Sequence, residues 1–283
     1  MAHKNDDLAA WIGRTEERSE TLTAWPLKAL GAALNWQDPE PVEGSEIPWP
    51  GHWLYFLETT RQSELGPDGH AARGGFLPPV ALPRRMWAGG RMRFLAPLKV
   101  GDAAVKRSTI KNVVRKTGRS GELVFVVVLH EIFGPDGLCI SEEHDIVYRE
   151  EAKPGTREPE TMGRPFEPAW KAEVTPSEAL LFRYSALTFN GHRIHYDLDY
   201  CRDREGYPGL VVHGPLTATL LLDIARRNNP GKTMTAFSYR AVRPVFALGP
   251  YGIEGTMENA STARVWALDQ EGALAMDGTV SFD

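Results

Sequence analysis

Between His213 and Arg227 the chain carries Leu216, Ala218, Leu220, Leu221, Ile224 and Ala225, which set apolar side chains on nearly every face of a helix. A helix apolar all round has no face to give to water and is stable only when enclosed. Arg226 and Arg227 suit the negative end of its dipole, and Pro230 lies just past its stop. Four β-rich segments follow: Met234 to Pro244, Tyr251 to Asn259, Ala263 to Leu268 and Ala273 to Phe282. Short segments of this kind, punctuated by turns, form antiparallel sheet. A buried helix followed directly by a meander of strands predicts a curved sheet wrapped around that helix.

The first half ends in the same way. Arg91 to Leu98, Ala103 to Arg115, Glu122 to Phe133 and Leu138 to Tyr148 are separated by Gly101-Asp102, Gly118 and Gly134-Pro135-Asp136-Gly137. Val124 to Leu129 reads as a strand buried on both faces. The run from Gly90 to Gly101 resembles the run from Phe237 to Gly249. In each, a basic strand ends at a proline, Pro97 or Pro244, and a glycine turn follows. A shared order of elements points to an internal repeat. Upstream, Glu16 to Leu34 predicts a helix broken at Pro26. His52 to Leu57 is an apolar strand or a buried turn. Residues 66–83 form a long Gly- and Pro-rich loop, of a length that often serves function in compact domains. Residues 151–169, with Pro154, Gly155, Pro159, Gly163, Pro165 and Pro168, read as a linker. They divide the chain into a first domain, 1–150, and a second, 170–283. The second opens on a helix start at Thr175-Pro176-Ser177-Glu178, with Thr175 as cap and Glu178 completing a capping box.

Composition excludes several classes. The 283 residues suffice for two domains of ordinary size, and a formal net charge of -5 gives no basic footprint for nucleic acid. The longest apolar run, Leu123 to Leu129, is too short to span a bilayer. The polar stretch Met1 to Asp7 has no apolar segment behind it, so a secretory signal is not expected. Cys139 and Cys201 stand in no CxxC arrangement, which argues against a disulfide framework or a cysteine zinc site. A cytoplasmic protein with no membrane and no nucleic-acid partner is expected.

Two stretches of the second half carry chemistry. Thr188-Phe189-Asn190-Gly191-His192-Arg193-Ile194-His195 is followed by Leu210-Val211-Val212-His213-Gly214 at the mouth of the apolar helix. Together they resemble the signature of the MaoC-like (R)-specific enoyl-CoA hydratases and type 2 hydroxyacyl-thioester dehydratases. That signature is a Ser or Thr, then Gly-Asp-x-Asn-Pro-aliphatic-His, then aliphatic-Val-His-Gly opening a helix. The likeness is greatest to the itaconyl-CoA and mesaconyl-C4-CoA hydratase branch. It implies an α+β double hot-dog fold: two curved antiparallel sheets, each wrapped around a central helix, paired as two subunits would be. The first hot dog would lack the catalytic motif. It further implies reversible hydration of a 2-enoyl-CoA, a short branched dicarboxylic one of the itaconyl or mesaconyl type. Coenzyme A enters as part of the substrate, no other cofactor is needed, and a homo-oligomer is compatible. The chain departs from the pattern where the family has Asp, Asn and Pro; here these are Asn190, His192 and Arg193.

The residues support such chemistry on their own terms. A thioester-conjugated alkene accepts water if negative charge can gather on the thioester oxygen. The N–H of Gly214, at a helix N-terminus and without a side chain, suits that oxygen. Histidine can both take and return a proton near neutral pH, which makes His195 the central acid/base. Asn190 can orient water but cannot take a proton. His213 packs beside them and holds the substrate loop. The spacing of His192, His195 and Asp197 or Asp199 matches no zinc signature, so no metal is expected. Arginines recognise carboxylates and phosphates. Arg193, Arg240 and Arg243 from the second half, with Arg84 and Arg85 from the first, are the candidates for a substrate carboxylate and the CoA phosphates. Two other readings stand beside this one: a 3-hydroxyacyl-thioester dehydratase of fatty acid synthesis with an apolar acyl tunnel, and a non-catalytic acyl-CoA-binding protein prompted by Asn190.

Overall fold

A computed structural model describes residues 8–118, 121–150 and 161–283. The first half gives β1 (Thr15–Thr21), α1 (Ala24–Ala33), β2 (Arg84–Phe94), β3 (Ala103–Gly118), β4 (Gly121–Gly134) and β5 (Gly137–Arg149). The second gives β6 (Trp170–Val174), α2 (Glu178–Leu187), the short α3 (Leu198–Tyr200) and α4 (Gly214–Arg227), then β7 (Met234–Ala241), β8 (Tyr251–Asn259), β9 (Thr262–Leu268) and β10 (Leu274–Phe282). The strands make one antiparallel sheet in the order β1-β3-β4-β5-β2-β7-β10-β9-β8-β6. Each set of five has the same internal order. The two sets meet where β2 pairs with β7, Met92 opposite Phe237. That pairing covers the edge each half would otherwise expose.

The repeat is visible in the hydrogen bonds. In the first half Ile47 N–H donates to Leu98 C=O (2.8 Å) and Val100 N–H to Ser45 C=O (2.9 Å). In the second, Val212 N–H donates to Val245 C=O (2.8 Å) and Ala247 N–H to Leu210 C=O (2.7 Å). Leu95 and Ala96 share the Cys139 carbonyl as Val242 and Arg243 share that of Ala275. These pairings equate Ile47 with Val212, and therefore Pro50 with Pro215. From that point the halves diverge. The second continues into the 14-residue α4, whereas the first makes only a 3-10 turn, Gly51–Leu54.

Helix α4 fills the concave face of β8, β9 and β10, with Leu216, Ala218, Leu221, Leu222 and Ala225 fully buried. Burial of a leucine side chain contributes roughly 1.5–3 kcal/mol, so the all-round apolar pattern is the main reason this helix sits inside. In the first half a polar network stands beside the shortened turn. Glu142, 1% exposed, accepts from Trp53 Nε1 and is bonded to His52 Nε2 and His144 Nε2. Burial opposes its charge, but the two histidines outweigh burial and hold its carboxyl well below the usual range.

Several local expectations are corrected. Glu16 to Thr21 is not helix but part of β1, paired with β3, because its alternating polar residues suit an edge strand. Helix α1 begins only at Ala24, with Pro26 in the first turn, where a missing N–H costs nothing. The cap of α2 is Ser177, not Thr175; its hydroxyl accepts from Leu180 N–H (3.2 Å). In β4, Val124, Val126 and Val128 are buried and the residues between them are half-buried, so one face only meets the core. Residues 151–160 of the expected linker lie outside the described residues, and 161–169 carry no regular element. No helix among the described residues is long and apolar enough to cross a membrane.

Candidate active site

The motif is a reversal of the chain between α2 and α4. Thr188 closes α2 by donating its hydroxyl to Tyr184 C=O (2.8 Å), and Phe189 turns the backbone at φ 48°. Asn190 N–H then bonds Ser185 C=O (2.8 Å), while Asn190 Oδ1 accepts from His192 N–H (3.0 Å). A single 3-10 turn, Arg193–His195, brings His195 back inside.

His195 is 7% exposed. Its Nδ1 lies 2.7 Å from the Val211 carbonyl, which can only accept. Nδ1 therefore carries the proton and Nε2 keeps its lone pair. Burial depresses its pKa to about 4, with the Val211 carbonyl pulling the other way. The ring of His213 stacks on it at 3.6 Å and 17°. His213 in turn bonds Ser185 Oγ through Nε2 (2.8 Å), and burial drives its pKa far down. His213 is thus a support for His195, tied to α2. Ser185 was not legible in the sequence: a helical serine gives no sign of a distant partner.

Gly214 is the first residue of α4, and Pro215 after it has no N–H. The Gly214 N–H therefore stands without an intrahelical acceptor at the positive end of the dipole, immediately after His213. A Cβ on Gly214 would lie 2.7 Å from Trp87 Cε3 and 3.0 Å from Cζ3, so the edge of the β2 indole packs against this position. Trp87 also packs on Tyr239, with ring centroids 4.7 Å apart.

The first half contributes directly. Its loop docks on the motif: Arg193 N–H donates to Asp68 C=O (2.9 Å), and Gly69, at φ +86°, is so close that a Cβ would sit 1.9 Å from Gly191 O. This brings in Asp68 and His70. His70 Nδ1 is 3.1 Å from Asp68 Oδ2, its ring lies 4.0 Å from that of His192, and His192 stands 5.6 Å from His195 at 88°. Burial lowers the pKa of His70, against the pull of Asp68. Burial, then His70 and His195, depress His192 to about 2. Burial opposes the charge of Asp68, but hydrogen bonding to His70 holds its carboxyl below the ordinary value. Sequence reasoning marked this loop as functional by length but did not single out Asp68 or His70. Their signal was an acid and a base two residues apart in a loop rich in Gly and Pro. Asp68, His70 and His192 also offer ligand atoms within 4.8 Å of one another, the one such trio among the described residues.

The arginines are mostly elsewhere. Arg193 does not point at His195: its guanidinium pairs with Asp197 (2.7 Å), donates to Pro67 C=O (3.0 Å) and lies over the Tyr200 ring. Strand alternation turns Arg240 outward, because Phe237 and Tyr239 face in. Arg243 pairs with Asp269 (3.2 Å), and Arg84 donates to Glu205 C=O (3.0 Å). Each of these four pairs with a neighbour or faces outward, and none is placed against His195. Arg85 differs, lying near enough to His70 and His192 for its charge to help keep both neutral.

A ten-stranded double hot dog with a buried, neutral histidine stacked on the residue that opens a helix defines a thioester hydratase or dehydratase site. The sequence pattern of hydroxyacyl-thioester dehydratase type 2 matches residues 49–247. The chain belongs to this family. It is 44% identical to the mesaconyl-C(4)-CoA hydratase of Chloroflexus aurantiacus over 274 residues, 97% of either chain. It is 30% identical to the mitochondrial hydroxyacyl-thioester dehydratase type 2 of Schizosaccharomyces pombe over 227 residues, 71% of this chain and 75% of that one. Among solved structures, a MaoC-like dehydratase from Phytophthora capsici superposes with a TM-score of 0.70 at 14% identity, covering 96% of this chain and 95% of that one. A Mycobacterium tuberculosis protein described as having a double hotdog fold gives 0.56 at 15%, covering 96% of each.

Proposed function

We propose that this chain catalyses the reversible hydration of a short, branched 2-enoyl-CoA that carries a carboxylate on its β-carbon, as mesaconyl-C4-CoA does. The observation that carries the reading is the fixed tautomer of His195, which keeps a lone pair on Nε2 while its ring stacks on His213, the residue just before the first N–H of α4. Identity of 44% with a mesaconyl-C(4)-CoA hydratase supports the acyl group.

In the hydration direction the thioester oxygen accepts from Gly214 N–H. Water oxygen forms its bond to the β-carbon as the C=C pair shifts toward the α-carbon and that oxygen. His195 Nε2 takes one water proton and returns it to the α-carbon, which restores the neutral ring. General acid/base transfer contributes typically ~10²–10⁴-fold. One oxyanion donor contributes about 10²–10³-fold. His213 and Ser185 hold the imidazole plane. Trp87 closes the wall by Gly214 and excludes water from the developing charge. Arg85, whose charge acts on His70 and His192, takes the substrate carboxylate. No resident cofactor or metal has a part in these steps. Buried free thiols at Cys139 and Cys201 suit a reducing, cytoplasmic setting.

The test is a panel of enoyl-CoA thioesters followed by loss of the conjugated double bond. Mesaconyl-C4-CoA is expected to be hydrated much faster than crotonyl-CoA, and His195→Ala to be at least about 10²-fold slower. Undiminished hydration by His195→Ala removes the central role of that residue. Equal rates on the two substrates remove the carboxylate. The 30% identity with a type 2 dehydratase favours one further outcome, dehydration of a straight 3-hydroxyacyl thioester, read as appearance of the conjugated double bond from 3-hydroxybutyryl-CoA.

A further inference from the structure

Water that adds to an alkene must aim a lone pair at carbon, so both of its hydrogens need acceptors. His195 Nε2 is one. Asn190 stands where the family's motif has an acid, but its Oδ1 is taken by His192 N–H (3.0 Å). Its NH2 can only donate. The motif therefore offers no carboxylate as a second acceptor, and one lone pair of its amide oxygen is already engaged.

The geometry points to His70, held by Asp68, as the second acceptor for the reacting water, delivered to the second half's motif by the first half's loop. This rests on the hydration reading above. A carboxylate only accepts, so the 3.1 Å contact between Asp68 Oδ2 and His70 Nδ1 places the proton on Nδ1. Nε2 of His70 is left with a lone pair, the same tautomer as His195. Asp68 Oδ1 also accepts from His70 N–H (3.1 Å), which fixes the backbone that carries the ring. The loop itself is fixed to the motif by Asp68 C=O, Pro67 C=O and the contact of Gly69 with Gly191. The His70 ring lies 4.0 Å from that of His192, whose own ring is 5.6 Å from that of His195, so the loop brings His70 into the same cluster of histidines.

The protons balance simply. The one that moves passes from water to His195 Nε2 and on to the α-carbon. The other stays on oxygen, held by His70 Nε2, and becomes the hydrogen of the product hydroxyl. Asp68 is a positioning residue and keeps its charge throughout.

Steady-state kinetics on mesaconyl-C4-CoA of the wild type, His70→Ala, His70→Gln and Asp68→Ala test this. His70→Ala is expected to lose about 10²-fold in kcat with KM within about threefold. His70→Gln, whose amide oxygen can accept, is expected to recover at least about tenfold of that loss. Asp68→Ala frees the tautomer and is expected to fall between them. A His70→Ala enzyme with kcat within about threefold of wild type overturns the inference while His195 dependence stands. So does a His70→Gln enzyme no better than His70→Ala in a protein of unchanged urea midpoint. A wild type inert on every enoyl thioester overturns the hydration reading itself, and the inference with it.

Discussion

Replacing His195 by Gln removes one proton-binding group from the acid unfolding of this protein, and the size of the effect follows from its burial. The imidazole titrates near 6.5 when free and at about 4 in the fold. Between those values the unfolded chain holds a proton that the folded chain refuses. Stability from this group is therefore complete above pH 6.5 and is lost as pH falls through about 4. Each tenfold change in proton affinity is worth about 1.4 kcal/mol, so the whole window amounts to about 3 kcal/mol. Burial also depresses His70, His192 and His213, so wild-type stability falls steeply with acid. His195→Gln is expected to flatten that slope by about 1.4 kcal/mol per pH unit inside the window. Urea unfolding followed by tryptophan fluorescence, from pH 7 down to about 4.5, measures it. Parallel slopes in the two proteins refute the reasoning, because they mean His195 is not held neutral by burial. The same value predicts a kcat/KM that stays level through pH 6.5 and falls as pH approaches about 4, where the base becomes protonated.

Other outcomes follow from close contacts and charges. Gly214→Ala puts a methyl 2.7 Å from Trp87 Cε3 and is expected to cost about 1–3 kcal/mol by urea midpoint, with much of the loss restored when Trp87 is also changed to Leu. Gly69→Ala, at φ +86° against Gly191 O, is expected to undock the loop and lower kcat, read by turnover and by proteolysis after Arg73. Arg85→Gln is expected to raise KM about tenfold or more for mesaconyl-C4-CoA and to leave crotonyl-CoA unaffected. Prolonged EDTA treatment is expected to leave hydration unchanged; a loss restored by zinc would point to Asp68, His70 and His192 as its ligands.

Much of this molecule is local in origin. The all-round apolar run of α4, the strand meanders and the glycine turns dictated a helix wrapped by curved sheet. The matched prolines 97 and 244 marked a repeat that the paired hydrogen bonds bear out. Gly214 and His195 were legible because the motif's chemistry depends on residues near in sequence, a helix start and a histidine held by a nearby carbonyl. The arginines were not legible. Whether a guanidinium reaches a site depends on strand alternation and on which carboxylate it meets first: Arg240 faces out, and Arg193 finds Asp197 four residues away. The loss of the first half's central helix was equally hidden, since Pro50 and Pro215 can be equated only through their paired strands. Above all, the sequence placed Asn190 in the motif and left the missing acid unexplained. Asp68 and His70 lie more than a hundred residues upstream, and only docking of the first half's loop onto Gly191 and Arg193 brings them to the histidines. Composition and periodicity set the elements because burial and turn geometry act within a few residues. The second half of the site was set by tertiary structure, because hydrogen-bond partners distant in the chain are chosen only when the two halves close on each other.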